Sequence, residues 1–272
     1  MRKIALSFYV LLIFFNGYGQ NSTISFKGGY AIPLFKNFID GIGNRQVGDN
    51  NYTYSEANIS LGKGISANVS YNHSFNDYFG FQLGFSYFSG FNIILSEESE
   101  VAGFKQTATK EFNCSYYGIN PGLFFSYPIG KVLPFINIGF TIGKGKILLD
   151  EKVVNSTANS QLKWTYNGGV YIGHFTGVGA DIILSKKVNL FTEVKLNNIN
   201  YKPSKGMLTE AKENDKDILD TYTTSQKEIE FVESYTVDSL QLPDENSPSK
   251  ETFNNFSCGN LLFSLGIRIS VE

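Results

Sequence analysis

Large apolar residues alternate with small or polar residues in eight separate stretches of this chain. In the clearest stretch, residues 79–87, every odd-numbered residue is large and apolar and every even-numbered one is Gly, Gln or Ser. Successive side chains of a β-strand point to opposite faces, so this stretch predicts a strand with one apolar and one small, polar face. Eight such strands, with aromatic residues on the apolar face, favour a barrel in lipid over a half-buried soluble sheet.

The connections between the predicted strands support the same architecture. The strands lie at about residues 23–34, 58–72, 79–91, 112–127, 132–147, 163–184, 188–200 and 258–269. Short turns at 73–77, 128–131 and 185–187 alternate strictly with long loops at 35–57, 92–110, 148–162 and 201–257. A barrel with both termini on the periplasmic side requires this alternation, and its long loops face outside the cell. We therefore predict an all-β fold, an eight-stranded antiparallel transmembrane up-and-down β-barrel with long extracellular loops.

The N-terminal segment has the layout of a secretion signal. Basic Arg2-Lys3 precedes an apolar run over residues 4–15, and small residues follow at Gly17 and Gly19. Twelve apolar residues span about 18 Å as a helix, which is short of the about 30 Å of a bilayer core. We expect a signal peptide over residues 1–19, cleaved after Gly19, and one barrel domain over residues 20–272. No Cys follows the apolar run to accept a lipid, which argues against a lipoprotein.

Composition agrees with export to the outer membrane of a Gram-negative bacterium. No other segment reaches the about 18 consecutive apolar residues of a membrane helix, yet the chain contains 24 Phe, 16 Tyr and 27 Gly. Only a closed barrel lets such a chain cross lipid with its backbone groups satisfied. The formal net charge is −2, and loss of Arg2 and Lys3 makes it −4. This balance predicts no nucleic-acid partner.

Two segments resemble a known family. The run at residues 177–185, followed by Leu-Phe-Thr-Glu-Val at 190–194, is similar to the sixth-to-seventh strand hairpin of the bacterial outer-membrane β-barrel proteins of the small OmpX and OmpA type. Residues 263–269, Phe-Ser-Leu-Gly-Ile-Arg-Ile, look like the last strand of that family. The resemblance implies a location in the outer membrane, porin-like architecture, and adhesive, protective or structural roles.

The inward phase of the predicted strands collects polar and charged residues. They are Lys27, Asn68, Gln82, Asn120, Asn137, Asp181, Glu193, Lys195 and Arg268. Three cations and two carboxylates in the narrow lumen of an eight-stranded barrel are costly unless they pair. We expect them to form a hydrogen-bonded, salt-bridged plug, because eight strands leave an interior just filled by side chains. The alternative is a small pore that passes ions or small solutes.

Two cysteines enter an oxidising compartment in which disulfides persist. By the predicted strand order, Cys114 and Cys258 begin the fourth and eighth strands, at the same rim but on opposite sides of the barrel. A disulfide allows at most about 7 Å between Cα atoms, which is less than the barrel's width. A bridge therefore requires loops that fold inward.

The fourth loop is too long to be only a connector. Between Lys202 and Glu251 it has twelve Asp or Glu and six Lys, a net charge of −6. Residues 227–237 predict an extra strand or hairpin above the membrane, and a ten-stranded barrel is the alternative. We expect this loop to be the main working surface, with a cation, a surface polymer or another protein as its partner. Membrane lipids and lipopolysaccharide are the expected partners of the outer wall.

The remaining candidates for chemistry favour a structural interpretation. Neighbouring residues around His73 point to opposite faces, so they form no catalytic triad by themselves. His73, His174 and two distant cysteines make a poor metal site. We expect no enzymatic activity, catalytic residue, metal or cofactor, and a barrel-embedded lipid-modifying enzyme is the remote alternative. Aromatic residues near strand ends are expected at the two headgroup levels, namely Tyr71, Tyr78, Phe79, Phe125, Tyr127, Trp164, Tyr166 and Tyr201.

Overall fold

The computed structural model describes residues 22–34, 37–47, 52–101, 104–155, 157–236, 244–252 and 255–271. The predicted signal peptide and its cleavage site lie outside the described residues. Eight long strands form the barrel wall: β1 (Ser22–Pro33), β2 (Gly64–Ser74), β3 (Phe79–Gly90), β4 (Phe104–Ser126), β5 (Val132–Asn155), β6 (Tyr171–Ile183), β7 (Val188–Asn198) and β8 (Asn260–Val271).

The barrel closes on itself. Each strand pairs antiparallel with the next one along the chain, and β8 pairs with β1 over its whole length. The predicted all-β, eight-stranded antiparallel barrel is therefore confirmed. The ten-stranded alternative is wrong, because the extra strands of the fourth loop join a sheet beyond the wall and never enter the closed ring.

The two faces of each wall strand follow the predicted alternation. On β5, Ile136, Ile138 and Phe140 point outward with 52, 51 and 62% of their surface exposed, whereas Asn137 and Thr141 point inward and are buried. The side-chain period of two imposes this division on every residue of a strand once its register is set. The result is an apolar outer wall around a polar interior.

The two ends of the barrel differ. The short turns over residues 75–78, 127–131 and 184–187 lie at one end, which we call the turn end. The ends of β1 and β8 meet there, because Ser22 is the cross-strand partner of Val271. All long connections lie at the opposite end, which we call the loop end.

At the loop end, β4 and β5 continue far past the wall and carry additional strands. We call this extension the loop-end sheet. Besides β4 and β5 it contains Ile93–Val101, Asn159–Asn167, Lys205–Glu213, Glu228–Val232 and Ser249–Thr252. The predictions of loops at 92–110 and 148–162 are thus largely wrong. Strand pairing satisfies their backbone groups as it does in the wall.

The sixth strand is shorter than predicted. Residues 163–167 belong to Asn159–Asn167, which pairs with β5, and β6 begins only at Tyr171. Gly168 and Gly169 separate the two with φ angles of +76° and +69°. Two successive left-handed residues turn the chain, and Gly adopts this conformation at little steric cost.

The described residues of the fourth loop, 199–236, 244–252 and 255–259, form several short elements. The loop contains Lys205–Glu213, the two-residue strand Lys216–Asp217, a 3₁₀ turn at Leu219–Thr221, a helical turn at Thr224–Lys227, Glu228–Val232 and Ser249–Thr252. Short paired segments, Asn200–Tyr201 and Phe256–Ser257, form its two ends. The extra strand predicted within 227–237 is present as Glu228–Val232. Asn214 and Asp215, with φ angles of 50° and 64°, form the tight turn after Lys205–Glu213.

A second strand pair belongs to the first loop. Asn37–Val47 pairs antiparallel with Tyr52–Ile59, which covers most of the predicted loop 35–57 and the start of the predicted second strand. Among the described residues, no helix has the length and apolar character needed to cross a bilayer.

Candidate functional sites in the lumen and at the loop end

One ion pair lies near the middle of the lumen. Glu193 of β7 accepts a hydrogen bond from the Lys27 ammonium of β1, and the two form a salt bridge. Asn137 of β5 donates to the other carboxylate oxygen at 2.5 Å. Gly177 makes room for this cluster, because a Cβ there would lie 2.4 Å from Asn137 Oδ1 and 2.8 Å from Glu193 Oε1. Three strands on different sides of the barrel are therefore joined through one buried carboxylate.

A second ion pair lies toward the turn end. Arg268 of β8 donates to Asp181 of β6 at 2.5 Å. The guanidinium lies 5.2 Å from the ring centres of both Phe135 and Phe191, within the range of cation–π contacts. Asp181 Oδ1 and Arg268 Nε have no hydrogen-bond partner among the described residues.

The third cation, Lys195, belongs to neither pair by direct contact. Its ammonium lies 3.7 Å from the centre of the Phe175 ring, and the side chain is buried. The sequence thus places three cations and two carboxylates in the interior, and the structure pairs two of the cations directly.

The neutral members of the predicted set contribute unequally. Asn120 donates to Ser86 at 3.0 Å and accepts from Thr141 at 2.8 Å. Asn68 and Gln82 are buried, but Asn68 Oδ1 and Gln82 Nε2 have no partner among the described residues. Within the predicted set, the structure thus forms two ion pairs, a cation–π contact of Lys195 and a hydrogen-bonded group around Asn120, while Asn68 and Gln82 are buried beside them.

The enclosed space between these side chains is small. A cavity of about 20 Å³ lies between Lys27, Asn120, Thr141 and Lys195. A single water needs at least about 10–15 Å³, so this cavity has room for about one. At this level the lumen is filled by side chains.

Sequence reasoning missed several polar contacts in the same interior. Ser25 and Ser70 are hydrogen-bonded at 2.6 Å, and Asn197 donates to Asn260 at 2.8 Å. These four residues occupy inward-facing positions in the alternation of β1, β2, β7 and β8, and this position is the sequence signal that predicts their polar contacts. Burial of hydroxyl and amide pairs has a lower desolvation cost than burial of charged groups, so these neutral pairs fill the polar interior more readily.

Above the polar lumen lies an apolar core that was not predicted, which we call the loop-end core. Its buried residues are Ala31, Leu61, Phe88, Phe112, Cys114, Tyr116, Ile147, Leu149, Tyr171, Ile199, Tyr201, Phe256, Cys258 and Leu262. They come from wall strands, from the extensions of β4 and β5, and from both ends of the fourth loop. The loop ends therefore fold inward and close the mouth of the barrel.

The placement of the cysteines on opposite sides of the barrel is wrong. Cys258 lies just before β8 in an inward-folded segment, and its sulfur is 3.4 Å from that of Cys114. Both side chains are buried and both thiols are free. The segment Phe256–Ser257, just before β8, pairs with Asn200–Tyr201, just after β7, and Cys258 follows this pair and contacts Cys114 of β4.

The aromatic residues fall into two groups. At the turn end, Tyr78 stacks with Tyr127 and Phe79 contacts Phe125, at 5.8 and 5.0 Å between ring centres. The headgroup placement predicted for three others is wrong: Tyr201 is buried in the loop-end core, and Trp164 and Tyr166 pack against that core from the loop-end sheet. Residues 159–167 leave the wall, which carries their aromatic residues away from the barrel surface.

The histidines lie on the outer surface. His73 Nδ1 is 3.1 Å from the Ser22 hydroxyl, and its ring stacks on Tyr71. His174 Nε2 is 3.5 Å from the amide of Asn198. Within the part of the chain that the structure describes, no group of three or more His, Cys, Asp or Glu is placed to hold a metal ion.

Charged side chains cover the outer face of the loop-end sheet. Glu210 accepts from Lys163 at 2.7 Å and from Lys212 at 2.5 Å, and these hydrogen bonds lower the pKa of Glu210 to about 2. Lys110 and Glu151 form another pair at 3.0 Å on the opposite face of the sheet, in the strand phase of the buried Leu149. On β5 the outward residues change from Ile and Phe in the wall to Lys144, Lys146, Asp150 and Lys152 in the sheet, alongside the exposed Leu148 and Val154.

The chain matches no protein-family model and no curated protein sequence. Among solved structures it is similar to Neisserial surface protein A, with a TM-score of 0.36, 10% identity, and coverage of 93% of this chain and 98% of that one. It is also similar to Ail, the attachment invasion locus protein of Yersinia pestis, with a TM-score of 0.30, 11% identity, and coverage of 92% and 97%. The same Ail protein in complex with the heparin analogue sucrose octasulfate gives a TM-score of 0.29 at 10% identity, with coverage of 92% and 97%. Likeness this distant transfers no function, which has to be inferred from the chain's own residues.

Proposed function

We propose that this protein is an outer-membrane barrel that presents its loop-end sheet at the cell surface and acts there structurally or by binding, with a closed lumen and no enzymatic role. The apolar outer wall carries this proposal. Large exposed apolar residues lie on the outward face of seven of the eight wall strands, and on β7 the outward Leu190, Val194 and Leu196 are partly exposed. Soluble monomers rarely expose a contiguous apolar patch above a few hundred Å², so a continuous belt of this kind requires lipid around it.

The height of the belt fits a bilayer. On β5 the outward apolar residues run from Val132 to Ile142, which is about 33 Å along a strand. A strand tilt of about 40° reduces this to about 25 Å, the height of the apolar band on outer-membrane barrels. The next two outward residues are Lys144 and Lys146, both exposed. The loop-end boundary of the membrane therefore falls just beyond Ile142.

The loop end is the side we assign to the cell exterior. Barrels of this type have short periplasmic turns and long external loops. Past Ile142, β5 continues for thirteen residues to Asn155, or about 43 Å of strand. The strands added to this extension make a paired, charged sheet and not a set of loose loops. A folded surface is better suited to a specific contact than a mobile loop, because less ordering entropy is lost on binding.

The expected partners differ between the two regions. Membrane lipids surround the apolar wall, and lipopolysaccharide phosphates are the natural counter-ions of Lys144 and Lys146 at the outer boundary. A protein or polymer is the partner we propose for the loop-end sheet and the acidic fourth loop. With a net charge of −6 between Lys202 and Glu251, this loop favours a basic partner surface or a bound cation.

The filled lumen favours a closed barrel over the small-pore alternative. Each ion pair joins two wall strands that are separated by one strand, and the cavity between Lys27, Asn120, Thr141 and Lys195 is about 20 Å³, which is too small for a hydrated solute. We therefore expect no steady conductance from the protein in a planar bilayer. Regular single-channel openings would restore the pore interpretation.

An epitope-insertion experiment tests the membrane placement and the orientation together. One variant carries a short epitope in the tight turn between Asn214 and Asp215, and the matched control carries it between Lys186 and Lys187 at the turn end. On intact cells we expect an antibody to stain only the first variant, and both after permeabilisation. Both should also migrate faster on cold detergent gels than after boiling. Staining of the turn-end control alone would reverse the orientation, and recovery of an unshifted soluble protein would refute the barrel in lipid.

A further inference from the structure

The buried cysteine pair has a geometry that the proposed surface role does not explain. Cys114 and Cys258 are separated by 144 positions in the chain, yet their sulfurs are 3.4 Å apart. Both lie in the loop-end core with 1% and 0% of their surface exposed. A disulfide has a sulfur–sulfur distance of about 2.05 Å, so a bond requires an approach of only about 1.4 Å.

Contacts that do not involve sulfur hold Cys258 in this position. Its backbone N–H donates to the carbonyl of Ile199 at 2.9 Å. The amide of Leu61 donates to the Ser257 carbonyl at 2.8 Å, and that of Leu34 donates to the Gly259 carbonyl at 3.0 Å. The segment is therefore tied on both sides of the cysteine to the first loop and to the residue after β7.

Side-chain contacts add to this preorganisation. The Asn260 amide donates to the Cys258 carbonyl at 3.2 Å and to the Tyr116 hydroxyl at 3.1 Å. Tyr116 and Cys114 both point inward from β4 and belong to the same core. The two thiols are thus brought together by the fold itself.

We propose that Cys114 and Cys258 form an intramolecular disulfide in the exported protein. This inference rests on the proposed outer-membrane location, since export carries the chain through an oxidising compartment. One thiol loses its proton and attacks a disulfide of a periplasmic dithiol oxidase, which gives a mixed disulfide. The second thiolate attacks the chain's own sulfur in that intermediate and releases the oxidase as a dithiol. Two protons and two electrons leave the chain, one sulfur–sulfur bond forms in it, and one breaks in the oxidant.

The burial of both sulfurs determines when the bond forms. A protein oxidant cannot reach a thiol enclosed in the loop-end core, so exchange precedes closure of the barrel mouth. The bond then encloses β5, β6, β7 and almost all of the fourth loop. It fixes the return of that loop to the β4 wall and restricts the unfolded chain over a long segment. A covalent tie at this point holds the base of the proposed binding surface.

Thiol counting on the full-length protein from outer membranes tests the proposal. The membranes are quenched in acid, unfolded in detergent and urea, and treated with a maleimide polymer that adds a visible mass per free thiol. We expect no added mass before reduction and two additions after it. The Cys114→Ser variant should take up one polymer without reduction, and the double Ser variant none.

The outcomes separate this inference from the proposed function. Two additions without reduction, on wild-type protein that shows the cold-gel mobility shift, would overturn the disulfide and leave the barrel intact. A dimer on a non-reducing gel would overturn it as well, because the bond would then be intermolecular. Absence of the mobility shift would count against the membrane placement whatever the thiol count.

A refolding experiment tests the order of events. Reduced chain is given oxidised glutathione either before or after refolding into detergent. We expect the bond to form only in the first case. Equally fast oxidation of the folded barrel would overturn the requirement for oxidation before closure.

Discussion

Removal of the Glu193 carboxylate is the sharpest test of the closed lumen. Glu193→Gln keeps the size of the side chain and retains an oxygen for the Asn137 amide, but it leaves Lys27 without its counter-ion. Lys195 lies nearby in the same interior, so three cations then face only Asp181. Breaking a buried ion pair by removal of one partner costs about 3–5 kcal/mol, because an uncompensated charge stays behind. We expect a loss of this size in the free energy of unfolding.

The measurement is equilibrium urea unfolding of the refolded barrel in lipid vesicles, read by mobility on cold detergent gels. Glu213→Gln is the matched control, since it removes an exposed carboxylate of the loop-end sheet and should change stability by less than about 0.5 kcal/mol. The double variant Lys27→Met/Glu193→Gln removes both charges and should recover at least half of the loss.

Two results would refute this reasoning. A loss below about 1 kcal/mol for Glu193→Gln would place the pair in a hydrated, high-dielectric channel, where an ion pair contributes little. If the double variant were no more stable than Glu193→Gln, the unpaired charge of Lys27 would not be the cause of the lost stability. Stable ionic current that changes with Glu193→Gln would point to the pore.

Further predictions address the wall, the mouth and the loop-end sheet. Ile138→Arg places a charge at mid-wall and should cost about 2–4 kcal/mol of unfolding free energy in vesicles, whereas the same change at Lys146 should be nearly neutral. Tyr201→Phe removes a hydroxyl that lies 2.6 Å from the carbonyl oxygens of both Gly145 and Gly168, and should cost about 1–2 kcal/mol, against no measurable change for the exposed Tyr235→Phe. Gly168→Ala introduces a Cβ 2.1 Å from Ser204 Oγ at a φ of +76°, and should make the segment before β6 cleavable by protease while the wall persists. The pKa of Glu210 is depressed to about 2, so the stability that its hydrogen bonds give the loop-end sheet is present above pH 4.5 and is lost as the pH falls toward 2. Trp164 fluorescence of the loop-end sheet should report this loss of stability. In the Glu210→Gln variant this change of fluorescence with pH should be absent.

The sequence predicts the wall well because each wall strand faces two different environments. The proposed lipid on one side and a crowded polar lumen on the other favour strict alternation, and a shift of one residue would reverse every side chain of a strand. Residues 79–87 show this without ambiguity, and the inward charges follow from the same phase. The alternation does not predict which charged residues pair, as Asp181 does with Arg268 and Glu193 with Lys27. It shows the face of the strand on which a residue lies but not the position of that residue along the barrel axis.

Prediction of the strands fails beyond the alternating segments of the wall. Beyond Ile142 the outward face of β5 turns charged while Ile147 and Leu149 still point inward, so the strand continues after its membrane signature ends. The Gly168-Gly169 pair was the available signal for the break before β6, since consecutive glycines commonly mark turns. The contact between Cys114 and Cys258 depends on inward-folded loop ends, and no periodic pattern encodes such a fold.

The loop-end core joins the barrel wall to the loop-end sheet. A polar lumen alone gives the fourth loop little to pack against, because its polar side chains offer little apolar area to bury. The core supplies that area where wall residues such as Phe88 and Leu262 meet loop residues such as Tyr201 and Phe256. Since β4 and β5 pass unbroken from the wall into the loop-end sheet, the sheet takes its orientation from the barrel. The polar lumen therefore serves mainly to close the wall, and the apolar mouth serves to hold the surface on which a partner would bind.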